Sequence, residues 1–408
     1  MADFHQNGNI AQFHDLRVRP LEELEYQLEG FAGSRRISLI LPSLFSELEG
    51  EALPRILSEL AGARYLHRVI VGLDAADEAQ FRHALGFFSA LPQNHVVIWN
   101  DGPRMQAIKA RLESLGIGPI EPGKGRNVWT CIGYLIACAD SAVMAIHDCD
   151  ITTYERGMLA RLVYPVAHPA FPYHLSKGFY PRVGGNRLGG RVTRNLVSPL
   201  LISLKKVIGD RDYIDYLRAF RYPLSGEFAM RTASLPDLRI PSDWGLEIGV
   251  LSEAWRNLGP NAVCQVEIAD RYDHKHQDLS PDDAATGLNR MAMDICKAIF
   301  RKLAADGTVF SQNVFRTLKA TYYRRALDML DTYSHDAAMN GLDFDRHAEE
   351  RSIALFAETI VKAGQTFLDT PQELPFIPNW NLVHDADPGL LADFRTAVAA
   401  DQADFTGS

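Results

Sequence analysis

Apolar positions from Arg35 onward fall into two alternating patterns. Ile37–Leu41, Arg68–Leu73, Val96–Trp99 and Ala142–Ile146 are short, nearly continuous apolar runs, as in strands buried on both faces. Between them Glu49–Leu60, Asp77–Phe88 and Pro103–Leu115 carry apolar residues at helical spacing, and a Gly123–Gly125 turn opens a further helix through Ala139. This strand–helix repetition predicts a mostly parallel sheet with helices on both faces.

The middle of the chain is less regular. Phe171–Tyr180 reads as extended, Val183–Gly190 is glycine-rich, Val192–Lys206 and Asp212–Phe220 are helical, Gly226–Arg231 is extended, Gly245–Asn257 is helical and Val263–Ile268 is a strand. Beyond about Ser280 the pattern is almost wholly helical, over 282–304, 309–335, 344–367 and 388–400, with Pro371, Pro375 and Pro378 in the last gap. Residues 1–34 are mixed in character and are expected to form a peripheral arm.

Composition narrows this picture. With 408 residues, 47% hydrophobic and 23% charged, the chain is ordinary globular protein, which excludes disordered, collagen-like and low-complexity classes. At roughly 150 residues per domain it holds about two or three domains, or one large α/β domain with an appendage. The net charge of −9 makes nucleic acid a poor partner but leaves room for a small anion held by local Arg and Lys. Five cysteines, widely spread and without zinc-site spacing, point to a reduced protein. Met1–Gln12 lacks the apolar core of a signal peptide, and the longest apolar run, Cys131–Ala139, falls far short of the roughly 20 residues that span a bilayer. The expectation is a soluble, cytoplasmic protein without a membrane partner.

Five stretches carry candidate chemistry. Asp148-Cys149-Asp150 follows a buried strand directly, where ligands sit in open α/β sheets, and two carboxylates one residue apart can hold a hard divalent cation on a diphosphate. The same residues also suit a loop of solvated acids, or a helix N-cap at Asp150. Tyr272-Asp273-His274-Lys275-His276 offers a loop imidazole as a third ligand, or plain surface histidines. Gly123-Lys124-Gly125 before a helix suits an anion, without the spacing of a P-loop, and suits an ordinary glycine turn as well. Gly184-Gly185-Asn186-Arg187-Leu188-Gly189-Gly190-Arg191-Val192-Thr193 leads into a helix as a cradle for phosphate or carboxylate, or as a surface loop. Ser225-Gly226-Glu227 and Asp243-Trp244-Gly245-Leu246-Glu247 carry acids that could receive sugar hydroxyls; an acid near a helix start is also simply favoured by the dipole.

The order of these features resembles that of retaining GT-A glycosyltransferases, most nearly the glucosyl-3-phosphoglycerate and mannosyl-3-phosphoglycerate synthase-like group. The resemblance runs from about Ser38 to Leu279 and is carried by Gly123-Lys124-Gly125, Asp148-Cys149-Asp150, Lys177-Gly178-Phe179-Tyr180, Gly190-Arg191-Val192-Thr193, Gly226-Glu227 and His274. It departs in the first-strand motif, Pro42-Ser43-Leu44-Phe45-Ser46-Glu47 in place of a Pro-Ala-Leu-Asn-Glu-Glu type, and after His274, where the basic run becomes Lys275-His276-Gln277.

The resemblance implies a GT-A, Rossmann-like nucleotide-sugar-binding α/β fold with a mostly parallel central sheet; the C-terminal helical extension after Ser280 is longer than in the compact relatives. The implied division is a catalytic domain at 35–280, with a nucleotide-sugar half to about 150 and an acceptor half from about 151, followed by helices at 281–408 that serve dimerisation or cover the acceptor site. It further implies that Pro42, Leu44, Glu47 and Asp74 line the nucleoside pocket and that Gly123 and Lys124 contact the nucleotide. Asp148, Asp150 and His274 would hold Mg²⁺ or Mn²⁺; Gly190, Arg191, Val192 and Thr193 would bind the acceptor, with Glu227 also on substrate; Glu247 would sit beside the transferred sugar, and Asp150 and Glu247 would be the catalytic acids. The implied reaction is retaining transfer of glucose, with UDP-glucose the favoured donor, to 3-phosphoglycerate, in a homodimer. Alternatives on the same fold are a GDP-mannose donor or a glycerate acceptor. A sugar-nucleotide pyrophosphorylase would need a glycine- and Arg-containing loop straight after the first strand, which Leu41–Gly50 lacks, and a non-catalytic binding protein would be expected to have lost the metal acids.

Overall fold

The structure is a computed structural model describing residues 6, 8–118, 120–242, 244–274, 287–371 and 377–406. Ten strands are present among them: β1 (Ala11–Phe13), β2 (Ile37–Leu44), β3 (Leu66–Asp74), β4 (His95–Trp99), β5 (Val143–Ile146), β6 (Leu175–Phe179), β7 (Val183–Gly184), β8 (Arg187–Leu188), β9 (Phe228–Arg231) and β10 (Val263–Glu267). Eight form one sheet in the order β1-β10-β6-β9-β5-β2-β3-β4, while β7 and β8 make a separate hairpin. The sheet is parallel except at β9, which runs antiparallel to β5 and β6. This matches the mostly parallel α/β sheet expected from the sequence.

The near-continuous apolar strands are explained by burial on both faces. In β2, Ile40 points into one core with Ile70, Ile98 and Ile146, while Leu39 and Leu41 point into the other with Val69, Val71 and Val143. Each such side chain contributes about 1.5–3 kcal/mol when fully buried, which fixes register as well as stability. The helices Ala52–Leu60, Glu78–Phe88 and Arg156–Ala167 cover the second core; Lys124–Cys138 and Ser198–Ile208 cover the first.

The reversal at β9 matters for the site. Because β9 is antiparallel, its start pairs with the ends of its neighbours, Phe228 opposite Ile146 and Lys177. Gly226 and Glu227 therefore reach the same sheet edge as the residues that follow β5 and β6. The first 34 residues, expected as an arm, supply the edge strand β1 beside β10 and the Leu21–Ala32 helix against Arg156–Ala167.

The helical C-terminal region has two parts. Gly287–Ala305 and Gln312–Met339 pack against Arg346–Asp369, and Gln312–Met339 also packs against Ser198–Ile208, behind the glycine-rich loop. Trp380–Ala386 and Leu390–Thr406 return under the nucleotide half: Trp380 stacks on Trp129 at 4.1 Å, and Arg104 pairs with Asp401 at 2.5 Å. The five cysteines are free thiols, and no helix among the described residues is long and apolar enough to cross a membrane.

Candidate functional site

Strand ends, a helix N-terminus and the glycine-rich loop meet over a cavity of about 1140 Å³. Every residue to which the resemblance gives a site role lines it except Glu227. On the nucleotide side, Pro42, Leu44 and Glu47 come from the end of β2 and the turn after it, and Asp74 ends β3. Arg126 lies 3.0 Å from Asp74 and 3.6 Å from Asp101. Burial raises the Asp74 carboxyl pKa against the pull of Arg126. Gly123 caps the Lys124–Cys138 helix, and Gly125 lies so close to Pro241 that a Cβ there would come 1.9 Å from its carbonyl oxygen.

At the centre, Lys124 bridges two acids, with Nζ 2.7 Å from Asp148 Oδ1 and 3.2 Å from Glu247 Oε1. Burial opposes the charge on Lys124, but Asp148 and Glu247 outweigh it and push its pKa up. Burial likewise works to raise Asp148, yet Lys124 holds that carboxyl below its usual range. Among the described residues Asp150 pairs with no lysine: burial and the Asp148 charge lift it to about 6, while His274, at 3.8 Å, and Lys124 pull the other way. His274 is brought there by the loops after β5 and β10, which pair at Ile151 and His274 and through Thr152 N–H donating to the Asp273 carbonyl at 3.0 Å. Asp150 does not cap a helix; the next one begins at Arg156 with Glu155 at its N-cap. Gly226 presses on the centre, because a Cβ there would sit 2.4 Å from Asp148 Oδ2.

Glu227, expected on substrate, does not line the cavity. It is fully buried beneath the cavity, where its carboxylate accepts from the hydroxyls of Tyr180, Tyr272 (2.7 Å) and Ser225 (3.2 Å). Those hydroxyls hold it in the floor of the cavity. The rings of Tyr180 and Tyr272 stack at 3.7 Å above it. Lys177, also fully buried, donates to the Ser225 carbonyl, and burial lowers its pKa to about 8.

On the far side the glycine-rich loop turns through Gly185, Asn186 and Gly190, all at positive φ (51°, 62° and 66°). Val192–Val197 is a π-helical turn before Ser198–Ile208, where a plain α-helix was expected. Pro199 has no N–H to give the Asn195 carbonyl, so the α-helical ladder breaks there; the hydroxyl of Tyr322 takes that carbonyl instead. Arg191 and Thr193 thereby face the cavity. Arg182, not anticipated, also lines it, donating to the Tyr222 hydroxyl at 3.0 Å and lying over the Tyr272 ring. Its only sequence signal was its place between the Lys177–Tyr180 motif and the glycines. Asp243, Lys275, His276 and Gln277 lie outside the described residues.

Two carboxylates and an imidazole suit a divalent cation such as Mg²⁺ or Mn²⁺. Asp148, Asp150 and Glu247 gather around Lys124 beside His274, an acid-rich cluster whose charge a divalent cation would offset. Among the described residues no three His, Cys, Asp or Glu side chains close into a tight cage: Asp148 turns to Lys124 while Asp150 turns to His274. The donor set is thus open, with room for oxygens from a ligand. Arg182 and Arg191 line the same cavity, Arg182 over the Tyr272 ring. The arrangement can hold a metal-bound diphosphate on one side and a second small anion on the other.

Comparison with known proteins bears on this arrangement. No protein-family model matches the chain. It is 44% identical over 404 residues to glucosyl-3-phosphoglycerate synthase of Persephonella marina, covering 99% of this chain and 100% of that one. It is 35% identical over 408 residues to glucosyl-3-phosphoglycerate synthase of Methanococcoides burtonii, covering 99% of each. Among solved structures it is similar to glucosyl-3-phosphoglycerate synthase from Mycobacterium tuberculosis in complex with Mn²⁺, UDP-glucose and phosphoglyceric acid. That likeness has a TM-score of 0.53 at 22% identity and covers 72% of this chain and 88% of that one; it speaks to the fold.

Proposed function

The chain belongs to the glucosyl-3-phosphoglycerate synthase family of glycosyltransferases, and from that premise we propose that it transfers glucose from UDP-glucose to 3-phosphoglycerate with retention of configuration. One observation carries the reading: Asp148, Asp150 and His274 line a single cavity together with Gly190, Arg191 and Thr193. A diphosphate donor and an anionic acceptor can therefore face each other. The solved relative named above was crystallised with a donor and an acceptor of these two kinds.

Pro42, Leu44, Glu47 and Asp74 receive the nucleoside, and the N-terminus of the Lys124–Cys138 helix receives the diphosphate, where unpaired N–H groups favour anions. A Mg²⁺ or Mn²⁺ ion held by Asp148, Asp150 and His274 would supply neutralisation of the charge that develops on the leaving diphosphate. Lys124 adds a fixed positive charge at the same place, kept protonated by Asp148 and Glu247. Gly190, Arg191, Val192 and Thr193 hold the acceptor anion, fixing its hydroxyl on the face from which the nucleotide leaves. The bond from glucose C1 to the diphosphate oxygen breaks, the bond from C1 to the acceptor oxygen forms, and the hydroxyl proton passes to a diphosphate oxygen. No strong protein base is needed. Glu247 lies beside the sugar, oriented by Lys124.

A donor–acceptor panel tests the reading. UDP-, ADP- and GDP-glucose and GDP-mannose are each paired with 3-phosphoglycerate or glycerate, with and without Mg²⁺, and nucleotide release is measured. The expected result is fastest release from UDP-glucose with 3-phosphoglycerate and Mg²⁺. Release from no pair refutes the assignment; preference for GDP-mannose or glycerate redirects it.

A further inference from the structure

The acceptor side of the cavity rests on a carboxylate from far along the chain. Glu349 lies in the first turn of the Arg346–Asp369 helix and is 6% exposed. Its Oε1 accepts from Arg191 Nε at 3.2 Å, across 158 residues of sequence. The same carboxylate accepts from Arg194 at 3.3 Å and from Asn195 at 2.5 Å. Arg194 in turn donates to the carbonyls of Leu188 (3.1 Å) and Gly189 (2.8 Å) and lies over the ring of Tyr333. One branch from Glu349 therefore fixes the guanidinium of Arg191 by its stem-side nitrogen. The other fixes the turn that presents Gly190.

We propose that Glu349 is a positioning residue for the acceptor, building the acceptor-binding wall from the C-terminal helices; this rests on the reading of 3-phosphoglycerate as acceptor. Arg191 is held through Nε, so the pairing does not use its two terminal nitrogens, and the side chain lines the cavity. Two arginines share one carboxylate, which leaves net positive charge on this wall for an incoming anion. A buried ion pair adds little stability over apolar packing; what it gives here is direction. Pre-aiming a guanidinium removes an ordering cost from acceptor binding and leaves donor binding alone.

The test is steady-state kinetics of the full chain with UDP-glucose and 3-phosphoglycerate. Glu349→Gln keeps size and removes charge. It is expected to raise KM for 3-phosphoglycerate about tenfold, the scale of one lost charge-assisted hydrogen bond, with kcat and the KM for UDP-glucose within about twofold of wild type. Glu349→Asp, which keeps the charge, is expected to fall between. The effects of Glu349→Gln and Arg191→Lys combined should be less than multiplicative. If Glu349→Gln does not fold, Arg194→Lys carries the test, since it keeps charge but loses the fork to Leu188, Gly189 and Glu349; the same acceptor-selective rise is expected. An acceptor KM that is unchanged or lowered in a folded variant, or a rise shared equally by the donor, overturns the proposal. Wild-type transfer is read first: its absence sinks the functional reading and this inference with it, whereas wild-type transfer with an insensitive acceptor KM sinks this inference alone.

Discussion

The ammonium of Lys124 lies 2.7 Å from Oδ1 of Asp148, at the N-terminus of one helix and the end of one strand. The pair joins the helix dipole to the first acid of the Asp-x-Asp motif. Lys124→Met leaves Asp148 and Glu247 without their cation and removes a positive charge from the diphosphate site. We expect kcat/KM for UDP-glucose to fall by about 10²–10³, the usual cost of one transition-state donor, with a folded protein by circular dichroism. A loss under about threefold would show that Lys124 serves packing alone.

Among the described residues the ion-pair partner of Asp150 is His274, at 3.8 Å. Asp150→Ala should lower transfer by about 10³-fold or more and weaken Mn²⁺ binding, read from the electron paramagnetic resonance signal of free Mn²⁺. Chelation with EDTA should abolish wild-type transfer, and added Mn²⁺ or Mg²⁺ should restore it. Full activity in EDTA would remove the metal from the account.

Gly226 is a steric prediction. A methyl group there would sit 2.4 Å from Asp148 Oδ2, a separation that bonded structure does not tolerate. Gly226→Ala should displace Asp148 from Lys124 and cost activity by more than about tenfold, since small misplacements in a site cost about 10²-fold. The melting temperature should change far less than activity does. Equal activity would mean that Asp148 moves freely.

Lys177 gives a pH dependence with a definite sign. Burial lowers its pKa to about 8 from the ordinary lysine value, with Glu247, Glu227, Lys124 and Asp148 facing it. Below pH 8 the folded chain carries a disfavoured buried charge. Between pH 8 and the unfolded value near 10.4 the unfolded chain binds the extra proton, so this group's contribution to stability rises with pH. Comparing wild type with Lys177→Met by denaturant unfolding from pH 7 to 10.5 isolates that term. The expected result is a wild-type-minus-variant difference that climbs across this window; a flat difference contradicts the shift.

Much of the fold could be read from short patterns. The strands β2 to β5 and the helices between them were legible because strands buried on both faces must be apolar almost throughout. Gly123-Lys124 and Asp148-x-Asp150 were legible because they sit directly at element ends. The edge strand β1 was not: it is three residues long and its partner β10 lies some 250 residues away. The floor formed by Tyr180, Tyr272 and Glu227 was hidden for a similar reason, since Glu227 and Tyr272 are 45 residues apart and nothing local marks Glu227 as spoken for. The resemblance implies Glu227 on substrate; the fold sets it beneath the cavity, accepting from three hydroxyls. Glu349 carries no local signal within the 344–367 helical stretch; the fold alone sets it against Arg191 and Arg194.

The central claim is transfer of glucose to phosphoglycerate with retention, and the proton NMR spectrum of the product tests it most directly. The wild-type chain is incubated with UDP-glucose, 3-phosphoglycerate and Mg²⁺, and the anomeric proton of any new glucoside is observed. The account predicts a glucoside attached at the acceptor's hydroxyl with the small coupling of an α-anomer, formed in step with UDP. A β-anomer would contradict retention, and UDP-glucose left unchanged, with no new anomeric signal, would contradict the claim itself.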